Sequence, residues 1–193
     1  DCGICKRDFF ARAEEAGFDL GRLRAVVVTH DHGDHTKGLG VVLRGLAKAG
    51  AHPAVHASEA VFAASAPLRD AVASVGAAFE SFGGGDVLEA AGLAVRPFRT
   101  SHDAADSYGF RFDEAGGDRD SLGYMTDTGI VTDKAWEALS GVRLLALESN
   151  HDARMLEVGP YPYVIKQRIA SARGHLSNDQ AREALDNLAH ENL

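Results

Sequence analysis

The feature that most constrains this chain is a stretch rich in histidine and aspartate, THDHGDHTKG at residues 29–38. The six residues from His30 to His35 include three histidines and two aspartates. Ionised groups crowded together directly after an apolar run are costly to bury unless a cation compensates them. Imidazole nitrogens and carboxylate oxygens are ligands of zinc, manganese and iron. The stretch therefore predicts a metal site.

The spacing within this stretch indicates two metal ions rather than one. His30 and His32 are two residues apart, so an extended backbone places them on the same side. Asp34 and His35 follow Gly33, where the chain can turn sharply. We predict one ion at His30 and His32 and a second ion at Asp34 and His35. Two ions about 3.5–4 Å apart generate a hydroxide nucleophile and stabilise a phosphoryl or acyl group.

Polar clusters also follow three later predicted strands, as TSHD, MTDTG and LESNHD. Strand ends with such side chains are expected to meet at one edge of a sheet core. We predict His102 as the third ligand of the first ion. Asp127 is predicted as a carboxylate that bridges both ions. The alternatives are an ordinary hydrogen-bonded histidine at 102 and a turn-forming aspartate at 127.

Hydrophobic periodicity predicts alternating strands and helices. Strands are expected at 24–30, 53–57, 93–102, 107–113, 121–127 and 142–149, the last of them fully buried. Helices are expected at 6–16, 36–49, 58–64, 68–75, 132–139, 163–172 and 177–189. GGG at 83–85 and AGGD at 115–118 are predicted turns. Because the sequence contains no linker and no repeat, we expect a single domain over 1–193.

Composition limits the partners and the location. The chain has 193 residues and a net charge of −8. That charge argues against a protein that coats nucleic acid with its whole surface, although a local basic groove is compatible with it. The longest strictly apolar run, 60–64, is too short to span a membrane. Two cysteines, Cys2 and Cys5, without a disulfide framework favour the cytoplasm.

The pattern H-x-H-x-D-H formed by His30, His32, Asp34 and His35 resembles that of the metallo-β-lactamase-fold hydrolases. His102 and Asp127 match the later ligand motifs of that family in order. The segments SHDAADSYGF, YMTDTG, LESNHD and IKQRIASARGHLSN resemble its YycJ (WalJ) branch, which is related to phosphoribosyl cyclic phosphodiesterases. The resemblance covers most of the chain. It implies an αββα sandwich, two divalent metal ions and phosphodiester hydrolysis, and for this branch a 5′-to-3′ DNA exonuclease connected with mismatch repair.

The resemblance also implies roles for residues near the end of the chain. His175, in GHLSN, is expected to contact phosphate or to act as general acid, and roles as a ligand or as part of a helix start stay open. Ser177 and Asn178, at a predicted helix N-terminus, and Arg168 are expected to bind phosphate. The alternative for Arg168 is a solvated helix face. Together with His175, Asp34 and Asp127 are the predicted catalytic residues.

A further set of residues is expected behind the ligands. By resemblance, Asp1 matches an aspartate beside the metal site, and a free chain end is the alternative. Glu148, Asn150 and His151 end a predicted strand, and we expect them to orient ligands. Plain hydrogen bonding at a strand end is the alternative. The family has strands before the first residue here and a second His-Leu-Ser motif after the last, so we expect a fragment truncated at both ends.

Several functions are compatible with this pattern. The most specific expectation is a DNA exonuclease with two divalent ions, zinc or manganese. Alternatives on the same scaffold are a cyclic phosphodiesterase for small molecules and a thioester or lactam hydrolase. Acyl substrates would not need the basic residues and the GHLSN motif. A non-catalytic, metal-binding regulatory module is a further alternative from another class.

Overall fold

The computed structural model describes residues 1–116, 120–190 and 193. The chain divides into two compact units, Asp1–Gly83 with Ala104–Asp106, and Gly84–Asp103 with Ser107–Leu193. Each unit contains a β-sheet and helices, which confirms the predicted α/β class. Within the described ranges, no helix is both long and apolar enough to cross a membrane. The predicted turn at 115–118 lies partly outside the described residues.

The first unit contains a parallel sheet in the order β1–β2–β3. Its register pairs Val27 of β1 with His56 of β2, and His56 with Glu80 of β3. The strands are β1 (Ala25–Val27), β2 (Ala54–Ala57) and β3 (Phe79–Ser81). The helices are α1 (Lys6–Glu15), α2 (Gly33–Thr36), α3 (Leu39–Lys48), α4 (Glu59–Ala64) and α5 (Ala66–Val75).

Helix α3 shows how the core of this unit forms. Its side chains Leu39, Val42, Leu43 and Leu46 recur at helical spacing and are buried. Burial of each of these side chains contributes about 1.5–3 kcal/mol to the free energy of unfolding, relative to leaving it exposed. Replacing Leu46 with alanine would cost about 2–5 kcal/mol. The predicted helix at 36–49 is interrupted at 37–38, where the N–H of Gly38 donates to the carbonyl of Cys2 at 2.9 Å. A Cβ on Gly38 would come within 2.1 Å of a backbone oxygen of this N-terminal segment.

The second unit contains a sheet in the order β4–β5–β6–β7–β8. Its first four strands are antiparallel, while β8 runs parallel to β7. The strands are β4 (Leu88–Ala90), β5 (Leu93–Arg99), β6 (Tyr108–Glu114), β7 (Ser121–Met125) and β8 (Leu144–Leu147). The helices are α6 (Asp133–Leu139), α7 (Ala153–Val158), α8 (Tyr163–Ile169) and α9 (Asn178–Leu188).

The predicted pairing of 107–113 with 121–127 is confirmed, with Phe110 opposite Tyr124. Helix α6 packs against β5, β6 and β7. The core combines Phe98, Met125, Leu139, Leu176 and Leu188 from strands, helices and the loop before α9. The predicted N-caps are also present, because the side chains of Thr132 and Ser177 accept backbone N–H groups at the starts of α6 and α9.

Other expectations also differ from the structure. The strand at 142–149 is shorter and not fully buried: it is the last strand of the described sheet, and Leu144 is 52% exposed. Helix α8 ends at Ile169, three residues before the predicted end. The short elements β3, β4 and α7 were not predicted, because three to six residues give too little periodicity.

Candidate metal centre

The histidine turn lies in the first unit and gathers three imidazoles. Pairing with β2 continues beyond β1, since the N–H of Val28 donates to the carbonyl of His56 at 2.9 Å. His30 follows on this buried extended run, and His32 is the N-cap of α2. The ring of His30 has its centroid 4.7 Å from that of His32 and 4.1 Å from that of His35. The side chain of Asp34 is 74% exposed, with Oδ2 3.8 Å from Nε2 of His35.

The tight approach in this turn occurs at Gly3, not at Gly33. A Cβ on Gly33 would meet nothing within 4 Å, and this residue has the ordinary backbone of a helix start. The chain does change direction at 33, from extended His32 into α2, but this turn does not require glycine. A Cβ on Gly3 would lie 1.3 Å from the backbone oxygen of Asp34. The neighbouring N–H of Cys2 donates to the carbonyl of His35 at 2.7 Å, so residues 2–3 hold the turn in place.

Asp1 and Thr29 determine which nitrogen of His30 and His35 carries the proton. The Asp1 carboxylate lies 3.0 Å from Nδ1 of His35 and accepts the Thr29 hydroxyl at 2.9 Å. That hydroxyl has one proton, so it accepts from Nδ1 of His30, 2.9 Å away. In both histidines the lone pair is then on Nε2, the atom that can coordinate a metal ion. This is the contact expected of the predicted supporting residue Asp1, whose role stays a prediction.

In the second unit, three predicted site residues come together. His102, Asp127 and His175 each offer one possible ligand atom, and these atoms lie within 4.8 Å of one another. His102 and Asp127 follow β5 and β7, and His175 precedes α9. Oδ1 of Asp127 is 3.5 Å from Nδ1 of His175. Two imidazoles and a carboxylate form a donor set that suits zinc or manganese.

His102 is oriented by a backbone carbonyl. Its Nδ1 lies 3.0 Å from the oxygen of Gly174, and because a carbonyl only accepts, Nδ1 carries the proton and Nε2 the lone pair. Burial lowers the pKa of His102, which favours the neutral, metal-binding form. Gly174 must be glycine, since a Cβ would lie 2.2 Å from the carbonyl oxygens of Arg168 and Ile169.

His175 is held by Glu148, one of the residues predicted to orient the site. Nδ1 of His175 is 2.6 Å from Oε1 of Glu148, whose Oε2 accepts the backbone N–H groups of Thr128 and Leu176. The hydrogen bond to Glu148 raises the pKa of His175, with burial opposing it. The imidazolium form, which can donate a proton from Nε2, is therefore favoured at a higher pH than in a free histidine.

Asp127 has an unusual backbone. Its φ of +49° lies in the left-handed region, which non-glycine residues seldom occupy. The conformation costs an ordinary residue about 1–2 kcal/mol, somewhat less for aspartate. Such strain clusters at functional sites, because the surroundings must hold it in place. The observation supports a function for this carboxylate beyond forming a turn.

The other predicted orienting residues differ in their surroundings. The pKa of His151 is lowered by burial and by His175. Its Nδ1 is buried and makes no hydrogen bond within the described part of the chain. Asn150 is exposed, and its backbone N–H donates to the carbonyl of Leu176 at 3.0 Å. These roles stay predictions.

The predicted phosphate-binding side chains already have partners. The hydroxyl of Ser177 participates in a capping box with Gln180. Oδ1 of Asn178 accepts the hydroxyl of Ser149 at 2.9 Å. The Arg168 guanidinium is bonded to Asp103. Phosphate would have to share or replace these contacts, and the phosphate-binding role stays a prediction.

The sequence did not predict two contacts that support the site, those of Arg173 and Asp103 with His102. Nε and Nη2 of Arg173 donate to the carbonyl of His102 at 3.2 and 3.1 Å. Asp103 lies 3.5 Å from Nε2 of His102 through Oδ1 and pairs with Arg168 through Oδ2. Asp103 could have been found, because it stands beside His102 in the TSHD motif. The contact of Arg173 with His102 joins positions 71 residues apart, and no local sequence pattern predicts it.

A cavity of about 1160 Å³ lies elsewhere in the second unit, lined by residues of β5, β6 and α6. It contains none of the predicted site residues. Several of its charged groups pair with one another: Arg96 and Arg111 bind Asp113, and Lys134 binds Glu137 at 2.7 Å. The cavity therefore lacks the chemistry of the histidine and aspartate clusters.

Comparison with known proteins identifies the family. A family model described as the beta-lactamase superfamily domain matches residues 2–193. The chain therefore belongs to the beta-lactamase superfamily, as the H-x-H-x-D-H pattern predicted. It is 34% identical over 185 residues to exodeoxyribonuclease YycJ of Bacillus anthracis, which confirms the predicted branch. The alignment spans 96% of this chain and 66% of that relative.

Solved structures agree with this fold. The metallo-beta-lactamase fold protein YhfI from Bacillus subtilis superposes with a TM-score of 0.65 at 18% identity, over 88% of this chain and 62% of that chain. A diphosphatase from the PhnP family gives a TM-score of 0.64 at 23% identity, over 94% of this chain and 62% of that chain. The predicted metallo-β-lactamase fold class is confirmed. The single-domain prediction stays a prediction.

Proposed function

We propose that this chain is a metal-dependent phosphodiester hydrolase that removes nucleotides from DNA in the 5′-to-3′ direction. The observation that carries the proposal is the cluster of His102, Asp127 and His175, in which a backbone carbonyl and a buried carboxylate orient the two imidazoles. The choice of DNA is supported by the 34% identity to an exodeoxyribonuclease.

The proposed cofactor is a pair of divalent ions, zinc or manganese. We assign His30, His32 and His102 to one ion, Asp34 and His35 to the other, and Asp127 to both. The order of the ligand motifs along the chain supports this assignment. The donor chemistry agrees with it, because His30, His35 and His102 are each held in the tautomer that has its lone pair on Nε2.

When bound, such ions polarise a phosphoryl group and lower the pKa of water. Asp34 and Asp127 provide carboxylates that position the attacking water and take up its proton. As the new bond to phosphorus forms, the bond to the leaving oxygen breaks. His175 donates the proton from Nε2 to that oxygen, since its Nδ1 is bonded to Glu148. Glu148 stabilises the imidazolium before this transfer.

The remaining predicted residues complete the proposal. Ser177, Asn178 and Arg168 bind phosphate oxygens of the substrate, and Asp1, Asn150 and His151 support the ligands. The location is the cytoplasm, supported by the free cysteines Cys2 and Cys5. No membrane partner is part of the proposal.

The test begins with metal content per chain, by elemental mass spectrometry on protein purified without chelator. About two ions per chain are expected for a dinuclear site. Activity is then compared on 5′-labelled single-stranded DNA, RNA, a cyclic phosphodiester, a thioester and a lactam. Asp127→Asn should lower DNA turnover by about 100-fold or more, the scale of one lost transition-state contact.

Several results would contradict the proposal. Preferential hydrolysis of the thioester or lactam would assign the site to acyl transfer. Preference for the cyclic diester would indicate a small-molecule phosphodiesterase. Metal bound without any hydrolysis would support a regulatory module. Turnover of Asp127→Asn at the wild-type rate would exclude the role of this carboxylate.

A further inference from the structure

One surface of the second unit exposes several large apolar and aromatic side chains close together in the sequence. We define the α7–α8 surface as residues 153–173, which contain α7, α8 and the segments that follow each. Five large side chains between 155 and 164 are more than half exposed: Met155 (73%), Val158 (75%), Tyr161 (57%), Tyr163 (73%) and Val164 (74%). Single exposed apolar residues are ordinary, but a contiguous group indicates an interaction site.

The charge of the same surface has the opposite sign to that of the chain. Residues 153–173 contain four basic side chains and one acidic side chain, whereas the whole chain has a net charge of −8. The basic residues are Arg154, Lys166, Arg168 and Arg173. A polyanion repelled by the rest of the chain would be attracted here. This charge favours a polyanion such as a nucleic acid over a basic or neutral protein partner.

The α7–α8 surface is directly connected to the candidate metal cluster of the same unit. Arg168 on α8 binds Asp103, and the guanidinium of Arg173 donates to the carbonyl of His102. The N–H of His175 donates to the carbonyl of Ile169, the last residue of α8, at 2.9 Å. A helix of seven residues is about 10 Å long, so Tyr163 begins about that far from these anchors.

The two tyrosines are held on a rigid segment. They flank Pro162, whose ring fixes φ at −55°, and Tyr163 is the first residue of α8. Nζ of Lys166 donates to the carbonyl of Glu157 at 2.6 Å and so joins α8 to α7. Tyr163 and Lys166 are three residues apart on the helix and therefore share a face. An aromatic ring and a cation on one rigid face match a base and its phosphate.

We propose that the α7–α8 surface binds the single-stranded DNA that leads into the metal cluster. Bases stack on Tyr161 and Tyr163, the neighbouring aliphatic side chains contact base faces, and Lys166 contacts the phosphate backbone. The proposal rests on the proposed function in that its ligand is the substrate of that reaction. Aromatic stacking tolerates any base, as a nuclease that degrades any sequence requires.

The test measures binding and turnover separately. In a metal-loaded His175→Gln background, which lacks the proposed proton donor and so limits cutting, fluorescence anisotropy gives the Kd for a labelled 20-nucleotide oligothymidylate. Replacing both Tyr161 and Tyr163 with alanine should weaken binding about 10- to 100-fold, the range of lost stacking. Replacing both with phenylalanine should keep the original Kd within about threefold, because the rings remain. Lys166→Gln should flatten the dependence of log Kd on log salt by about 0.7.

In the otherwise unchanged enzyme, the alanine pair should raise KM for the oligonucleotide with little change in kcat. Hydrolysis of bis(p-nitrophenyl) phosphate, too small to reach the α7–α8 surface, should remain at the original rate. Phe18 provides the matched control, because it is also an exposed aromatic residue (49%) but is distant in sequence from Tyr161 and Tyr163. Phe18→Ala removes a ring without changing the α7–α8 surface. Its effect on Kd should be negligible.

The outcomes separate this inference from the proposed function. DNA cleavage with an unchanged Kd in the alanine pair would overturn the inference and leave the nuclease proposal intact. Tyrosine-dependent binding without cleavage by any form would support the inference and overturn the nuclease proposal. No binding of the oligonucleotide would also overturn the inference. Conversion of an oligomer to a monomer by the alanine pair, seen by light scattering, would overturn it in favour of contact between copies of the chain.

Discussion

Nδ1 of His175 lies 2.6 Å from Oε1 of Glu148, while Oε2 of the same carboxylate accepts two backbone N–H groups. The backbone N–H groups hold the Glu148 carboxylate in place independently of His175. The protonation state of the imidazole is therefore what changes with pH in this pair. This pair raises the pKa of His175 in the metal-free protein. The strength of the pair therefore depends on pH, and it can be measured without activity.

Glu148→Gln should destabilise the metal-free protein more at pH 5.5 than at pH 8.5. A histidine whose pKa is raised by folding adds stability that is fully present below its unfolded pKa, about 6.5, and is lost as pH rises through the folded pKa. The difference between the two pH values should be about 1–2 kcal/mol, as for a hydrogen bond to a charged group. Urea unfolding in EDTA measures it. Equal losses of unfolding free energy at both pH values would contradict a charged hydrogen bond between Glu148 and His175.

Asp127→Gly should unfold at higher denaturant concentration than Asp127→Ala. The left-handed φ of +49° is strained for alanine and relaxed for glycine. We expect a difference of about 1 kcal/mol in the free energy of unfolding, measured by urea titration. Both variants should lose metal, since both lack the carboxylate. A more stable alanine variant would show that the left-handed backbone is not required at this position.

Gly3→Ala should destabilise the fold and lower metal content. The added carbon would overlap the backbone oxygen of Asp34, 1.3 Å away, and displace the histidine turn. A loss of at least about 1–3 kcal/mol is expected from such overpacking. Gly33→Ala is the matched control in the same turn, because its Cβ would meet nothing within 4 Å. Thermal unfolding and elemental analysis of both variants check the contrast, and similar losses in the two would refute it.

His102→Ala should weaken metal binding by more than about 10- to 100-fold. That range is typical for removing a residue that only hydrogen-bonds to a metal ligand, and loss of the ligand itself should cost more. His190→Ala is a control with a similar change of size, because Nε2 of His190 contacts the carbonyl of Val142 and the residue belongs to no predicted ligand motif. Competition with a chromophoric chelator measures the affinity of each variant. Equal zinc affinity in His102→Ala and the wild type would exclude this residue as a ligand.

The sequence alone predicts the parts of the site that are local. The three imidazoles of 30–35 gather because they occupy one strand end and one helical turn. Likewise, β6 and β7 pair, as predicted, because two strand-forming segments are close together in the sequence. These features need little information from distant parts of the chain. The sequence predicted an orienting role for Glu148, but it did not predict that His175, 27 residues away, would be its partner.

Other features depend on contacts that no local pattern records. Gly3 is essential to the histidine turn only because it packs against Asp34, 31 residues away, and its sequence neighbours give no sign of this. The length and burial of β8 depend on its place at the end of the described sheet rather than on its apolar composition. The left-handed backbone of Asp127 also has no sequence signature, since aspartate occupies many turn types.

Gly174 has a consequence for how the parts of the second unit move. Its carbonyl oxygen sets the proton position on His102, and a Cβ at this position would overlap the carbonyl oxygens of Arg168 and Ile169 at the end of α8. A displacement of α8 would therefore be transmitted through a single peptide unit to the imidazole. The end of α8 and the imidazole of His102 are therefore connected through backbone atoms alone. No flexible side chain lies between them to absorb a shift of the helix.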